Sequence, residues 1–208
     1  MKMRIGIDFD NTIVCYDTVF YAAAREKTLV PENIPPTKSN VRNYLRSIDR
    51  EDDWTELQGY IYGTRMELAQ PFPGVFDFMR GAIEANIDIF IVSHKTLHPY
   101  IGPRYDLHAA ARRWLKSQGV FDPKKIGLVM ESVFFELTKE LKLERIEALN
   151  CSHFIDDLPE FMDDPGFPQG VEKLLFEPGE ERPVSTLVQR VTSWHEIAVR
   201  LLGEGTAA

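Results

Sequence analysis

The chain has 208 residues, 44% hydrophobic and 27% charged, with a formal net charge of −8; this is enough for a full core with or without a small insert, and the acidic balance excludes the dense basic footprint that a nucleic-acid duplex demands. No apolar stretch approaches bilayer-spanning length, and the two cysteines, Cys15 and Cys151, fit neither a metal-ligand spacing nor a disulfide framework. With the first strand starting at once and no room before it for a signal peptide, the expectation is a cytoplasmic protein with reduced thiols and no membrane or nucleic-acid partner.

Met3-Arg4-Ile5-Gly6-Ile7 is a short Ile-rich run that reads as a buried strand, and it ends in two carboxylates, Asp8 and Asp10, spaced i, i+2. In a straight strand that spacing turns both side chains to one face of the sheet. Asn11-Thr12 then breaks the run, so the acids fall where a strand leaves the sheet, the edge at which open α/β sheets bind their ligands.

From Ile13 to Gln70 the pattern turns helical. Phe20–Arg25 favours a helix that Pro31 and Pro35-Pro36 stop, Ser39–Ile48 offers a second, and Asp52 or Asp53 would cap a third through Trp54, Leu57 and Ile61. Nothing here reads as a buried strand, so residues 18–70 are expected to form an all-helical insertion, leaving 1–17 and 71–208 as the main domain. Pro71-Phe72-Pro73-Gly74 marks the return, followed by a helix over Val75–Glu84 and a second buried strand, Ile87–Val92, that ends in Ser93-His94-Lys95-Thr96. Beyond a Pro/Gly loop, Leu107, Ala110, Ala111, Trp114 and Leu115 mark a helix ending by Gly119, and Ile126–Met130 is the candidate third strand. Thr138 would cap a helix reaching Asn150, Ser152–Ile155 is a strand ending in Asp156-Asp157, Val171–Phe176 reads as the last strand, and Ser193 caps a closing helix before a short tail, 203–208. Strands alternating with helices imply an α/β fold, a Rossmann-like parallel sheet with right-handed crossovers.

Three strand ends thus supply Asp8/Asp10, Ser93 and Asp156/Asp157, and a helix start supplies Lys139 or Lys142. Taken alone, each is ordinary: Ser caps helices, Lys sits on surfaces and Asp begins turns. In this order they resemble the haloacid dehalogenase-like superfamily, specifically its phosphatase branch. Asp8-Phe9-Asp10-Asn11-Thr12 is similar to that family's first motif, Ser93 to its second, and Asp156-Asp157 to its fourth. Lys142, fourteen residues before Asp156, fits the third, with Lys139 in reserve. The insertion over 18–70 resembles the family's small first-position cap, and the short interval from Ser93 to Lys142 leaves little room for a large second one.

The resemblance implies a Mg²⁺-dependent phosphohydrolase acting on a small phosphomonoester. Asp8 would be the nucleophile that carries an aspartyl-phosphate and Asp10 the general acid and base. Ser93 and Lys142 would bind the phosphoryl oxygens, with His94 and Lys95 as further candidates near the phosphate or leaving group. Metal ligands would be the Asp8 carboxylate, the Asp10 carbonyl and Asp157, with Asp156 orienting the lysine or a bound water. The family's dehalogenases lack the second aspartate, because a halide leaves without a proton. A phosphotransferase, or a catalytically silent binder of phosphorylated ligands, would keep the same residues. A phosphorylation receiver, which places its acceptor aspartate in mid-chain, does not fit this order.

Overall fold

The computed structural model describes residues 2–179, 185 and 187–203; the expected tail beyond Gly203 lies outside them. The chain divides into two compact units. The first holds the chain up to Ile13, Pro71–Lys95 and the chain from Gln118 onward, and the second holds Val14–Gln70 and Thr96–Ser117.

In chain order, β1 (Arg4–Ile7) and β2 (Val14–Cys15) precede three helices, α1 (Asp17–Glu26), α2 (Lys38–Ser47) and α3 (Glu51–Thr64). Then come β3 (Gln70–Pro71), α4 (Val75–Glu84), β4 (Asp88–His94), α5 (Leu107–Ser117), β5 (Val133–Glu136) and α6 (Lys139–Ala148). The last third supplies β6 (His153–Asp156), α7 (Pro159–Met162), β7 (Glu172–Phe176), β8 (Val188–Val191) and α8 (Trp194–Leu202).

The first unit is built on a six-stranded sheet in the order β5-β4-β1-β6-β7-β8, with every neighbouring pair parallel. Parallel strands covered on both faces are apolar nearly throughout rather than alternating. Ile5, Ile7, Ile89, Ile91, Val92, Phe154, Ile155, Leu174 and Leu175 are accordingly all buried. The chain moves outward from β1 through β4 to β5, then returns to the other side of β1 for β6, β7 and β8. This is the doubly wound order, and its switch point, where ligands bind beyond the carboxyl ends of the strands, lies at β1. Helix α8 closes the unit: Trp194 is fully buried between Phe78 and Phe176, with ring centroids 5.3 and 5.6 Å away. Its indole N–H donates to the Thr12 carbonyl at 3.1 Å, which ties the helix to the loop after β1.

Two strands differ from expectation. The third strand is not Ile126–Met130 but Val133–Glu136. Gly127 takes a left-handed φ of +78° and turns the earlier stretch, leaving Val129 and Met130 mostly exposed. Nor is β7 the last strand, since β8 pairs with it at the sheet edge. The caps at Thr138 and Ser193 form as expected, accepting the N–H of Leu141 and of Glu196. Helix α3 instead starts at Glu51 after Arg50, with Asp52 and Asp53 in its first turn, where acids favour the helix dipole.

The second unit is wider than the insertion expected over 18–70, because Thr96–Ser117 joins it. The reason lies in two glycines of α3. A Cβ at Gly59 would stand 2.6 Å from Pro99, and one at Gly63 would collide with the Tyr105 ring, so the helix offers two notches that the later segment fills. Trp114 of α5 donates its indole N–H to the Ala69 carbonyl at 2.9 Å, closing the same unit. Tyr16, Phe20, Trp54 and Tyr62 form its aromatic centre. Val14–Cys15, inside a stretch expected to hold no strand, pairs with β3 as a two-stranded ribbon.

Candidate active site

Strand β1 stops at Ile7, but the Asp8 N–H still donates to the Ile155 carbonyl at 2.9 Å, which continues the ladder by one bond. The chain then turns at Asn11, whose φ is +59°. Phe9 between the two acids is fully buried, edge-on to Phe135. Burying Phe9 sends the side chains on either side of it, Asp8 and Asp10, to the rim of the sheet.

Lys142 reaches that rim from α6. Its ammonium lies 2.6 Å from Asp8 Oδ1 and 2.6 Å from Asp156 Oδ2, and the residue is only 2% exposed. The Phe161 ring centroid is 4.2 Å from the ammonium, completing its enclosure. Lys139, the reserve choice, is the half-buried first residue of the same helix.

Asp156 ends β6. Its second oxygen accepts the Leu158 N–H at 2.9 Å, so both carboxylate oxygens are engaged. Asp8, Asp156 and Asp157 each offer a carboxylate oxygen to one cluster, with these atoms all within 4.8 Å of one another. An all-oxygen, multiply anionic set of this size suits a hard divalent cation such as Mg²⁺.

The electrostatics point the same way. Burial is the largest influence on Asp8 and pushes its carboxyl up to about 7, Asp156 and Asp10 adding to the rise and Lys142 opposing it. Burial by itself would lower the Lys142 ammonium, but Asp156 and Asp8 outweigh it and hold the group above the ordinary lysine range. One buried ammonium is thus shared by two carboxylates.

On the neighbouring strand Ser93 is buried, 1% exposed, two residues past Ile91, the partner of Ile7. His94 ends β4 half-buried, and burial, followed by Lys142, lowers its imidazole from the usual value, favouring the neutral ring. Lys95 is the residue the sequence reading undervalues. It is 4% exposed, and its ammonium sits 2.7 and 3.0 Å from the two oxygens of Asp10. The only signal for it in the sequence is its place directly after a strand-ending Ser-His pair.

Neither a protein-family model nor a curated protein sequence matches the chain. Solved structures do. A HAD family hydrolase from Deinococcus radiodurans, with bound phosphate and sodium, is similar at a TM-score of 0.56 and 15% identity, over 98% of this chain and 96% of that one. YfnB from Bacillus subtilis, bound to magnesium, is similar at 0.59 and 15% identity, over 96% and 98%. A protein described as a dehalogenase is similar at 0.56 and 13% identity, over 96% and 97%. These likenesses run almost end to end, and they agree with the doubly wound sheet and its switch point at β1: the chain has the fold of the haloacid dehalogenase-like hydrolases.

Proposed function

We propose that the protein is a Mg²⁺-dependent phosphohydrolase of small phosphomonoesters, with Asp8 as nucleophile and Asp10 as general acid and base. The observation that carries this reading is the buried Lys142 held between Asp8 and Asp156, with Asp157 completing a cation-sized carboxylate cluster. A carboxylate cannot approach a phosphate dianion without compensating charge, and this rim gathers both the nucleophile and the means to bind that charge.

Mg²⁺ would be held by the carboxylates of Asp8 and Asp157 and by the Asp10 carbonyl, and when bound it supplies the charge neutralisation that lets the two anions meet. Asp156, with both oxygens already engaged, orients Lys142. Asp8 attacks phosphorus through its carboxylate oxygen as the bond to the leaving oxygen breaks, giving an aspartyl-phosphate. Asp10 gives its proton to that leaving oxygen, then takes one from the water that hydrolyses the intermediate. Lys142 neutralises a phosphoryl oxygen and Ser93 donates to another. His94, neutral beside them, is a further donor to the phosphate. The presence of Asp10 favours a phosphate ester over a carbon–halogen bond, since a departing halide has no use for a proton.

The test is inorganic phosphate release from a panel of aryl and alkyl phosphomonoesters with Mg²⁺ and with EDTA. Release is expected only with the cation, and Asp8→Asn should fold normally yet lose essentially all turnover. Normal turnover by that variant overturns the nucleophile assignment.

A further inference from the structure

Three of the four acids at the rim are divided between two buried lysines. Lys142 takes Asp8 and Asp156, which belong with Asp157 to the cation-sized cluster. Asp10, two residues from Asp8, is outside that cluster; both its oxygens lie against the Lys95 ammonium instead. The Lys95 side chain is 3% exposed and that of Asp10 20%, so the lysine is enclosed while the acid keeps an open side. Lys95 is also fixed at its backbone, where its N–H donates to the Glu136 carbonyl at 2.8 Å, and its ammonium lies 5.6 Å from the Phe9 ring centroid. An enclosed ammonium cannot exchange its carboxylate for water without a large penalty, so this pair holds one geometry rather than flickering as exposed pairs do.

We infer that Lys95 is a positioning residue for the general acid: it draws the Asp10 carboxylate away from the cation cluster and aims it at the leaving oxygen. The inference rests on the phosphohydrolase reading and adds to it a division of labour between two lysines. Without Lys95, the Asp10 carboxylate loses the ion pair that both its oxygens make and turns toward the three neighbouring acids as a further cation ligand. With Lys95, two oxygens at similar distance allow one to stay on the ammonium while the other carries the proton. When the proton passes to the leaving oxygen, the ester bond breaks and its electron pair stays on that oxygen, and Asp10 regains both contacts as a carboxylate. In the second half-reaction the same oxygen takes the proton from water as hydroxide adds to phosphorus and Asp8 is released.

Two measurements on the full-length protein test this. The first compares Lys95→Met with the unsubstituted protein on an alkyl phosphate and on p-nitrophenyl phosphate. The expected loss is in kcat, on the order of 100-fold for the alkyl ester and about ten-fold or less for the aryl ester, the pattern of impaired general-acid catalysis. Lys95→Arg, which preserves the ion pair, should recover much of the alkyl-ester rate. The second is calorimetric titration with Mg²⁺ alone. Lys95→Met should tighten binding about ten-fold, as an added carboxylate ligand would, and the tightening should vanish in an Asp10→Asn background. Equal losses on both esters, or equal tightening in both backgrounds, overturns the inference and reduces Lys95 to a bulk charge. If Lys95→Met does not fold, the same comparisons are made with Lys95→Leu, which likewise offers no donor to Asp10. An unsubstituted protein that releases no phosphate removes the phosphohydrolase reading itself, an outcome distinct from a variant that fails to discriminate between esters.

Discussion

Lys142, the proposed phosphate-binding lysine, is also buried between two acids, so its role in folding can be separated from that of its neighbour Lys139. Replacing it by Met leaves Asp8 and Asp156, both almost fully buried, facing each other without the ammonium between them. Removing one partner of a buried, hydrogen-bonded ion pair costs about 3–5 kcal/mol, because the charge left behind has neither water nor a counter-ion. Lys142→Met should therefore lower the urea midpoint sharply in EDTA as well as abolish turnover. Lys139→Ala, at the start of the same helix, should stay within about 0.5 kcal/mol of the unsubstituted protein. The reverse ranking would return the site lysine to position 139. In the sequence the family resemblance favours Lys142 by its spacing to Asp156 and keeps Lys139 in reserve; it is Lys142 whose ammonium lies against Asp8 and Asp156. The Lys95–Asp10 pair is not legible in the same way. Whether a lysine after a strand turns inward depends on what the sheet places beside it, here Phe9 and Glu136 from two other strands. No local pattern records that.

At the scale of elements, the strands that hold the site were legible because burial on both faces makes them continuous apolar runs. The two strands of the six-stranded sheet that depart from expectation, β5 and β8, are its edges, where only one neighbour constrains the pattern. Val133–Glu136 alternates between buried and half-buried residues, a weaker signal than the apolar run Ile126–Met130 that a left-handed glycine turns into a loop. The membership of α5 was hidden for a different reason: Gly59 and Gly63 look like helix weaknesses in sequence and act as notches in three dimensions. Gly6 in β1 gives a test of how tightly the central strand is fitted. A Cβ there would stand 2.5 Å from the Phe154 ring and 3.3 Å from the Cys151 sulfur, both fully enclosed or nearly so. Gly6→Ala should destabilise the protein by about 1–3 kcal/mol through overpacking. Because Asp8 follows two residues later and its N–H is the last bond of the ladder, the shift should also reduce kcat. Equilibrium unfolding and phosphate release on the same variant check both effects, and an unchanged midpoint would show that the Phe154 ring has room to move.

For the whole molecule the governing fact is the gathering of four acids at one rim of the sheet unit. Asp8, Asp10, Asp156 and Asp157 are set against Lys142 and Lys95, in a chain already carrying −8. None of the helices described is long and apolar enough to cross a membrane. A ligand that binds only the folded state stabilises it by RT ln(1 + [L]/Kd), about 2.7 kcal/mol at a concentration of 100 Kd. For a protein of this size that corresponds to a rise in Tm of roughly 5–10 °C. Mg²⁺ should produce such a shift in the transition of the sheet unit, and Na⁺ at equal ionic strength should not, because screening acts on exposed charges and leaves a buried cluster nearly untouched. Asp157→Ala removes a proposed ligand without removing either contact of Lys142, so it should suppress the Mg²⁺ shift. Asp88→Ala, which deletes an acid paired with Lys2 and Arg4 instead, should leave the shift in place. Differential scanning calorimetry of the three proteins with and without the cation decides it: an undiminished shift in Asp157→Ala would place the cation elsewhere and withdraw Asp157 from the ligand set.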